Sequence, residues 1–192
     1  MTMQNNLHFK RQKKKVIFWG CEGSSECHYA KLLNKIFNRA YIPVALKVFD
    51  LGKAGSIPRK IDFAITILDN EKRKGTKYFQ QFVVLDVDRA QNDPNEKSEA
   101  ERKSRQFKIV ILWQHPCFEG FLIKHFDKTK SRAPSTCQDA EKMLKKVWTD
   151  YKKPETVRRL DEKIQLDPNI KILVESDSDF KRVIEGFGLH LS

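Results

Sequence analysis

Four apolar runs recur along the first two thirds of the chain, each separated from the next by a stretch with helical spacing. The runs are Val16 to Trp19, Val44 to Leu51, Phe82 to Asp88 and Lys108 to Trp113. The first, third and fourth, apolar without polar alternation, read as buried strands, as in a parallel sheet covered by helices, and Val44 to Leu51 reads as a further strand. Between the first two, Tyr29, Leu32, Leu33, Ile36 and Phe37 recur at the spacing of one helix face, with Ser24 or Ser25 as cap. Gly52 to Ser56 forms a turn. Ile57 to Arg73 is a second helix that turns Ile61, Ala64, Ile65 and Leu68 inward. Glu96 to Arg105 is a charged third helix, and Cys117 to Phe126 a fourth after the break at His115-Pro116.

This β-α-β-α-β-α-β alternation predicts an α/β fold with a mostly parallel, Rossmann-like sheet flanked by helices. Beyond Ser131 the pattern turns helical, with Asp139 to Tyr151, Glu155 to Gln165 and Asp177 to Gly186 as helices and Ile170 to Val174 as one strand. The expected organisation is a basic flexible tail over 1–15 and one domain over 16–192. In it a core over 16–126 carries a mainly helical C-terminal extension over 127–192.

Charge sharpens this picture. Of 192 residues, 37 are Lys or Arg and 25 Asp or Glu, a formal net charge of +12, which favours a polyanion such as nucleic acid as partner. Lys10, Arg11, Lys13, Lys14 and Lys15 concentrate that charge in the tail, where phosphates would bind. No apolar run approaches a membrane span, and the polar N-terminus has no signal-peptide core, so a cytoplasmic protein is expected. Cys21, Cys27, Cys117 and Cys137 form no C-x-x-C pair and match no zinc spacing; they read as reduced thiols.

The candidate chemistry lies where the strands end. Asp86 and Asp88 close the third apolar run, and on a strand side chains two apart point the same way. Glu22-Gly23 follows the first run. In open α/β sheets such carboxyl ends line the ligand crevice. Glu22, Asp86 and Asp88 together would make a hard, oxygen-rich site suited to Mg²⁺ or Mn²⁺. Gly23 permits a sharp turn, and the next helix offers free N–H groups to a phosphate.

The order of these motifs resembles a known family. Cys21-Glu22-Gly23-x-x-Glu26-x-x-Tyr29, then Leu85-Asp86-Val87-Asp88, then the run His115 to Phe126 are similar to the RloB-like proteins, over roughly residues 16 to 126. The two acidic motifs also resemble the Toprim signature of topoisomerases, bacterial primases and OLD-type nucleases. His115 and Phe121 stand where Asn and Trp are expected.

The resemblance implies a Toprim-like fold and a Mg²⁺-dependent nuclease of bacterial anti-phage defence or restriction, with an ATPase or other defence protein as a possible partner. It implies Glu22 as general acid or base or metal ligand, Asp86 and Asp88 as Mg²⁺ ligands, and Glu26 as a further ligand. Glu119 and His125 fall in the third motif with less defined roles. Other readings compete: Glu26 and Glu119 suit helix starts on electrostatic grounds alone, and His125 is a candidate structural residue. Tyr29 and Phe118 read as core, and Arg89 could meet a phosphate or a neighbouring carboxylate. The competing functions are a non-catalytic module that binds nucleic acid or a defence partner, and a phosphotransferase or nucleotidyltransferase without a Walker-type loop.

Overall fold

The computed structural model describes residues 13–52, 55–88, 93–126, 128–129, 131–164, 181 and 183–185. Its centre is a four-stranded sheet of β1 (Lys15–Cys21), β2 (Val44–Asp50), β3 (Gln80–Asp86) and β4 (Val110–Gln114). Every pairing is parallel and the order is β2-β1-β3-β4. The helices are α1 (Ser24–Arg39), α2 (Ile57–Arg73), α3 (Pro94–Gln106), α4 (Phe118–Leu122), α5 (Cys137–Val147) and α6 (Val157–Ile164). A 3₁₀ turn, Ile123–His125, extends α4.

The sheet's alternation splits the core in two. Ile17, Trp19 and Cys21 of β1 and Phe82 and Val84 of β3 face α1, α4, α5 and α6. Phe18 of β1 and Val83 and Leu85 of β3 face the other way, against Ile57, Ile61 and Ala64 of α2 and Ala100 of α3. β1 and β3 are therefore buried on both sides, which is why they read as continuous apolar runs. Leu32, Leu33, Ile36 and Phe37 are the inward stripe of α1 and are almost wholly buried. Each such side chain contributes about 1.5–3 kcal/mol by leaving water.

Strand order positions the site. From β1 the chain goes outward to β2 through α1, then returns past β1 to β3 through α2, on the opposite face. The carboxyl ends of β1 and β3 thus flank the point where the winding reverses, the usual ligand crevice of such sheets.

Three expectations need correction. The third strand stops at Asp86, and residues 87–88 are already helical, so Asp86 and Asp88 do not share a strand face. β4 starts at Val110, which is 45% exposed, because it follows β3 at the end of the strand order and is covered less completely. The long helix expected to reach Tyr151 runs only from Cys137 to Val147. Thr136 starts it earlier than expected by accepting the Asp139 N–H through Oγ1 at 3.1 Å. The expected strand Ile170 to Val174 lies outside the described residues, as does most of the last helix. Of the latter, 181 and 183–185 are helical, and Val183 and Ile184 join the core beside α1.

Candidate active site

β1 delivers Glu22 one residue past its last paired position, and β3 ends on Asp86 beside it. The Asp86 N–H donates to Glu22 Oε2 at 3.1 Å, joining the two strand ends directly. Gly23, in extended backbone, then hands the chain to α1, whose first turn buries Ser25 and Glu26. The third motif closes the other side. Asp88 donates its N–H to the Pro116 carbonyl at 3.0 Å, so the His115-Pro116 turn holds the start of the segment after β3. Gly120 makes that approach possible, since a Cβ there would lie 2.3 Å from the His115 carbonyl oxygen and 2.6 Å from Pro116 Cδ. The next residues to enter are Cys117 and Glu119, both buried.

These elements enclose a cavity of about 250 Å³. Among the described residues, Glu22, Glu26, Asp86, Asp88 and Glu119 all line it, together with Cys117, Cys137 and one cation, Lys153. A second cation, Lys60, stands behind Glu22, 1% exposed and 3.6 Å from Glu22 Oε1. Lys60 also donates to the Gly52 carbonyl, so its ammonium is fixed between a strand end and a carboxylate.

The carboxylates are not treated alike. Glu119 accepts from Tyr151 Oη at 2.9 Å and from the Cys117 thiol at 3.3 Å, and pairs with Lys153 at 2.8 Å. Burial pushes its carboxyl up, but Lys153 and Tyr151 outweigh burial and hold it below its usual range. Burial raises Glu26. Asp86 is the extreme: Oδ1 is buried with no hydrogen-bond partner, and burial, then Glu26 and Glu22, push the carboxyl up to about 8. Asp88 accepts the thiol hydrogen of Cys137 at 3.1 Å.

The structure therefore brings together Glu22, Glu26, Asp86, Asp88 and Glu119, and leaves His125 outside. His125 is 2% exposed beneath Tyr29 and Phe121. Its Nδ1 faces the Leu122 carbonyl at 3.1 Å, which can only accept, so Nδ1 carries a proton, and Nε2 shares a hydrogen bond with Tyr29 Oη at 2.9 Å. With both nitrogens engaged it braces α4 against α1. Lys13, Lys14 and Lys15 sit at the amino end of β1, roughly 20 Å along the strand from the cavity. Lys10, Arg11 and Arg89 lie outside the described residues.

Sequence reasoning missed Lys60, Lys153, Tyr151 and the thiols as site residues. Lys60 left a signal, because it falls inside the buried stripe Ile57, Ile61, Ala64 of α2, where an amine needs a buried partner. Lys153, which lines the cavity, and Tyr151, which donates to Glu119, left none, since both lie in a loop between α5 and α6.

The donor set suits a hard divalent cation, as oxygen ligands predominate and one carboxylate oxygen is buried and unpaired. Among the described residues, no three His, Cys, Asp or Glu side chains stand close enough together to hold an ion as placed. The groups fit a cation in kind; drawing them around one would need side-chain rotation.

Fold and cleft define an α/β protein with an acidic crevice at the switch point of a parallel sheet. The family model described as RloB-like protein matches residues 17–174, most of the chain and well beyond the motifs themselves. The chain belongs to the RloB-like protein family. No curated protein and no solved structure matches it. No helix among the described residues is long and apolar enough to cross a membrane.

Proposed function

We propose that this chain is a Mg²⁺- or Mn²⁺-dependent enzyme that cleaves phosphodiester bonds, a Toprim-type nuclease acting in anti-phage defence or restriction. The observation that carries this reading is Asp86 Oδ1, buried and unpaired in a cavity lined by four further carboxylates. A buried carboxylate without a partner is costly, and a cation is the partner that four like-charged neighbours call for. Asp86 and Asp88 would hold the metal, with Glu26 as a further ligand. The metal would supply charge stabilisation at the phosphoryl oxygens. Glu22 is the candidate for proton transfer. The Asp86 N–H fixes its Oε2 and Lys60 offsets its charge, so the carboxylate is oriented before substrate arrives. The net charge of +12 supports a polyanionic substrate.

The same ion pair favours a second reading. A Glu22 neutralised by a buried lysine suits a non-catalytic module that keeps the fold to bind nucleic acid or a defence partner. Incubating the protein with DNA and RNA in Mg²⁺ or Mn²⁺, beside Asp86→Ala and Glu22→Ala, separates the two. Metal-dependent cleavage lost in both variants is the expected result. Cleavage that survives both substitutions refutes the assignment, and nucleic-acid binding without turnover selects the module.

A further inference from the structure

At the end of the sheet opposite the acidic cavity, three helices lead into strands and stop in the same turn. After α2, the Thr76 N–H donates to the Glu71 carbonyl at 3.0 Å and Gly75 takes φ 82°. After α1, the Ile42 N–H donates to the Phe37 carbonyl, and after α3, the Ile109 N–H donates to the Ser104 carbonyl, both at 2.8 Å. A bond reaching back five residues in this way needs a left-handed residue just before its donor, ordinarily glycine. α2 has that glycine. α1 has Tyr41 at φ 55° and α3 has Lys108 at φ 57°, the non-glycine residues of positive φ among the described residues. Such residues cost backbone energy, and strain of this kind collects where a side chain has a task.

Aromatic rings and lysines alternate along this edge. Tyr41 is 93% exposed ahead of β2, Phe79 is 52% exposed ahead of β3, and Phe107 stands exposed ahead of β4. Lys13 and Lys14 precede β1, Lys77 lies just before Phe79, and Lys108 follows Phe107, all of them exposed. Lys15 Nζ sits 4.4 Å from the centre of the Phe79 ring. In the order β2-β1-β3-β4 the row reads Tyr41, then Lys13 and Lys14, then Phe79 with Lys77, then Phe107 with Lys108. Three strand spacings make it roughly 15 Å long. Beside Phe107 a groove of about 460 Å³, with Lys77 and Tyr78 on its walls, adds depth.

We propose that this amino edge of the sheet is a binding face for single-stranded nucleic acid, with bases stacked on Tyr41, Phe79 and Phe107 and phosphates held by the lysines between them. Rings that accept any base, interleaved with cations that follow the backbone, hold single strands without reading sequence. A duplex keeps its base faces stacked inside, so a row of exposed rings selects the single strand. The net charge of +12 makes a polyanion the fitting occupant. The choice of nucleic acid rests on the polyanionic-substrate reading above, but the face uses none of the five carboxylates of the cavity.

The test follows the fluorescence anisotropy of a labelled oligothymidylate, and of a duplex of equal length, with the full-length protein at low salt in EDTA. Binding is read without metal, so a protein that proves unable to cleave leaves the result standing. The single strand should bind more tightly than the duplex. Tyr41→Gly and Lys108→Gly are the informative variants, because glycine suits the turn at both positions. Each should melt no lower than the parent and yet bind the single strand less tightly. The lost ring should cost roughly tenfold, as should Phe107→Ala. The lost lysine should lower the salt slope by about 0.7. Glycine variants that bind like the parent would overturn the proposal, as would equal affinity for duplex and single strand. So would weaker binding accompanied by a lower melting temperature, which would place the two side chains in the fold. Capture of phosphatidylserine vesicles in place of the oligonucleotide would assign the face to a membrane surface and also overturn it.

Discussion

Glu71 and Asp86 are carboxylates near opposite ends of β3, both turned away from open solvent, and the fold treats them in opposite ways. Glu71, at the end of α2, accepts from Lys47, from Lys74 at 3.1 Å, from Thr76 at 3.2 Å and from Tyr78 at 3.3 Å. The lysine at 47, then that at 74, holds it down to about 2. Asp86 has a buried unpaired oxygen and four acidic neighbours around one cavity, and is pushed up to about 8. Glu71 illustrates how this chain satisfies a carboxylate whose task is structural. Against it, Asp86 is a carboxyl group that the fold buries with one oxygen unsatisfied, which is the observation the proposed metal reading rests on.

The sharpest way to break the contrast is to titrate stability. Asp86 carries its proton in the folded state up to about pH 8, whereas the unfolded chain releases it near the ordinary value of 3.8. Between those limits the folded state binds more protons, so stability falls as pH rises, with a slope of up to about 1.4 kcal/mol per pH unit. Asp86→Asn, which has no proton to release, should flatten that slope and raise the melting temperature at pH 8. If the metal reading holds, Mg²⁺ should restore stability at pH 8 in the parent and do nothing for Asp86→Asn. A parent slope that matches the variant's would remove Asp86 as the strained group.

Lys60 tests whether the acidic end contains any satisfied carboxylate. Replacing it with Met leaves Glu22 buried beside Asp86 with its ammonium partner gone, a change that costs about 3–5 kcal/mol in comparable buried pairs. The double variant Lys60→Met with Glu22→Gln should recover much of that loss in denaturant unfolding. If it does not, packing of the lysine stem rather than charge was what mattered.

Gly120→Ala probes the scaffold beneath the comparison. The added methyl would meet backbone atoms that cannot swing aside, so a loss of about 1–3 kcal/mol is expected. The same clash should push the Pro116 carbonyl off the Asp88 N–H. A normal melting temperature with altered metal affinity would show that the turn positions Asp88 without supporting the fold.

How much of this was legible in advance follows the physics of each element. β1 and β3 announced themselves because burial on both faces removes every polar position from Ile17 to Cys21 and from Phe82 to Leu85. The strand-end acids could be read because parallel topology collects strand ends at one edge, where Glu22 and Asp86 were both expected; that β1 and β3 are adjacent came from the structure. The turn into helix after Asp86 was not legible, since Val87-Asp88 has the residue types of a continuing strand. Nor were Tyr151 and Lys153, whose contact with Glu119 spans more than thirty residues and leaves no periodicity.

The smallest expected effect lies at the satisfied end. Glu71→Gln keeps the shape and most hydrogen bonds but removes the charge that Lys47 and Lys74 offset. Because Glu71 is depressed in the folded state, its contribution is present above its ordinary value near 4.5 and lost as pH falls towards 2. The variant should therefore be less stable than the parent at pH 7 and indistinguishable from it near pH 2. Both lysines are exposed at the surface, 44% for Lys47 and 71% for Lys74, so water and salt screen the pair. High salt should shrink the difference at Glu71. It should leave the Asp86 slope nearly intact, because burial rather than an exposed partner sets that shift. A pH slope at Asp86 as salt-sensitive as the one at Glu71 would mean that its cavity is open to solvent, and the distinction between the two ends would collapse.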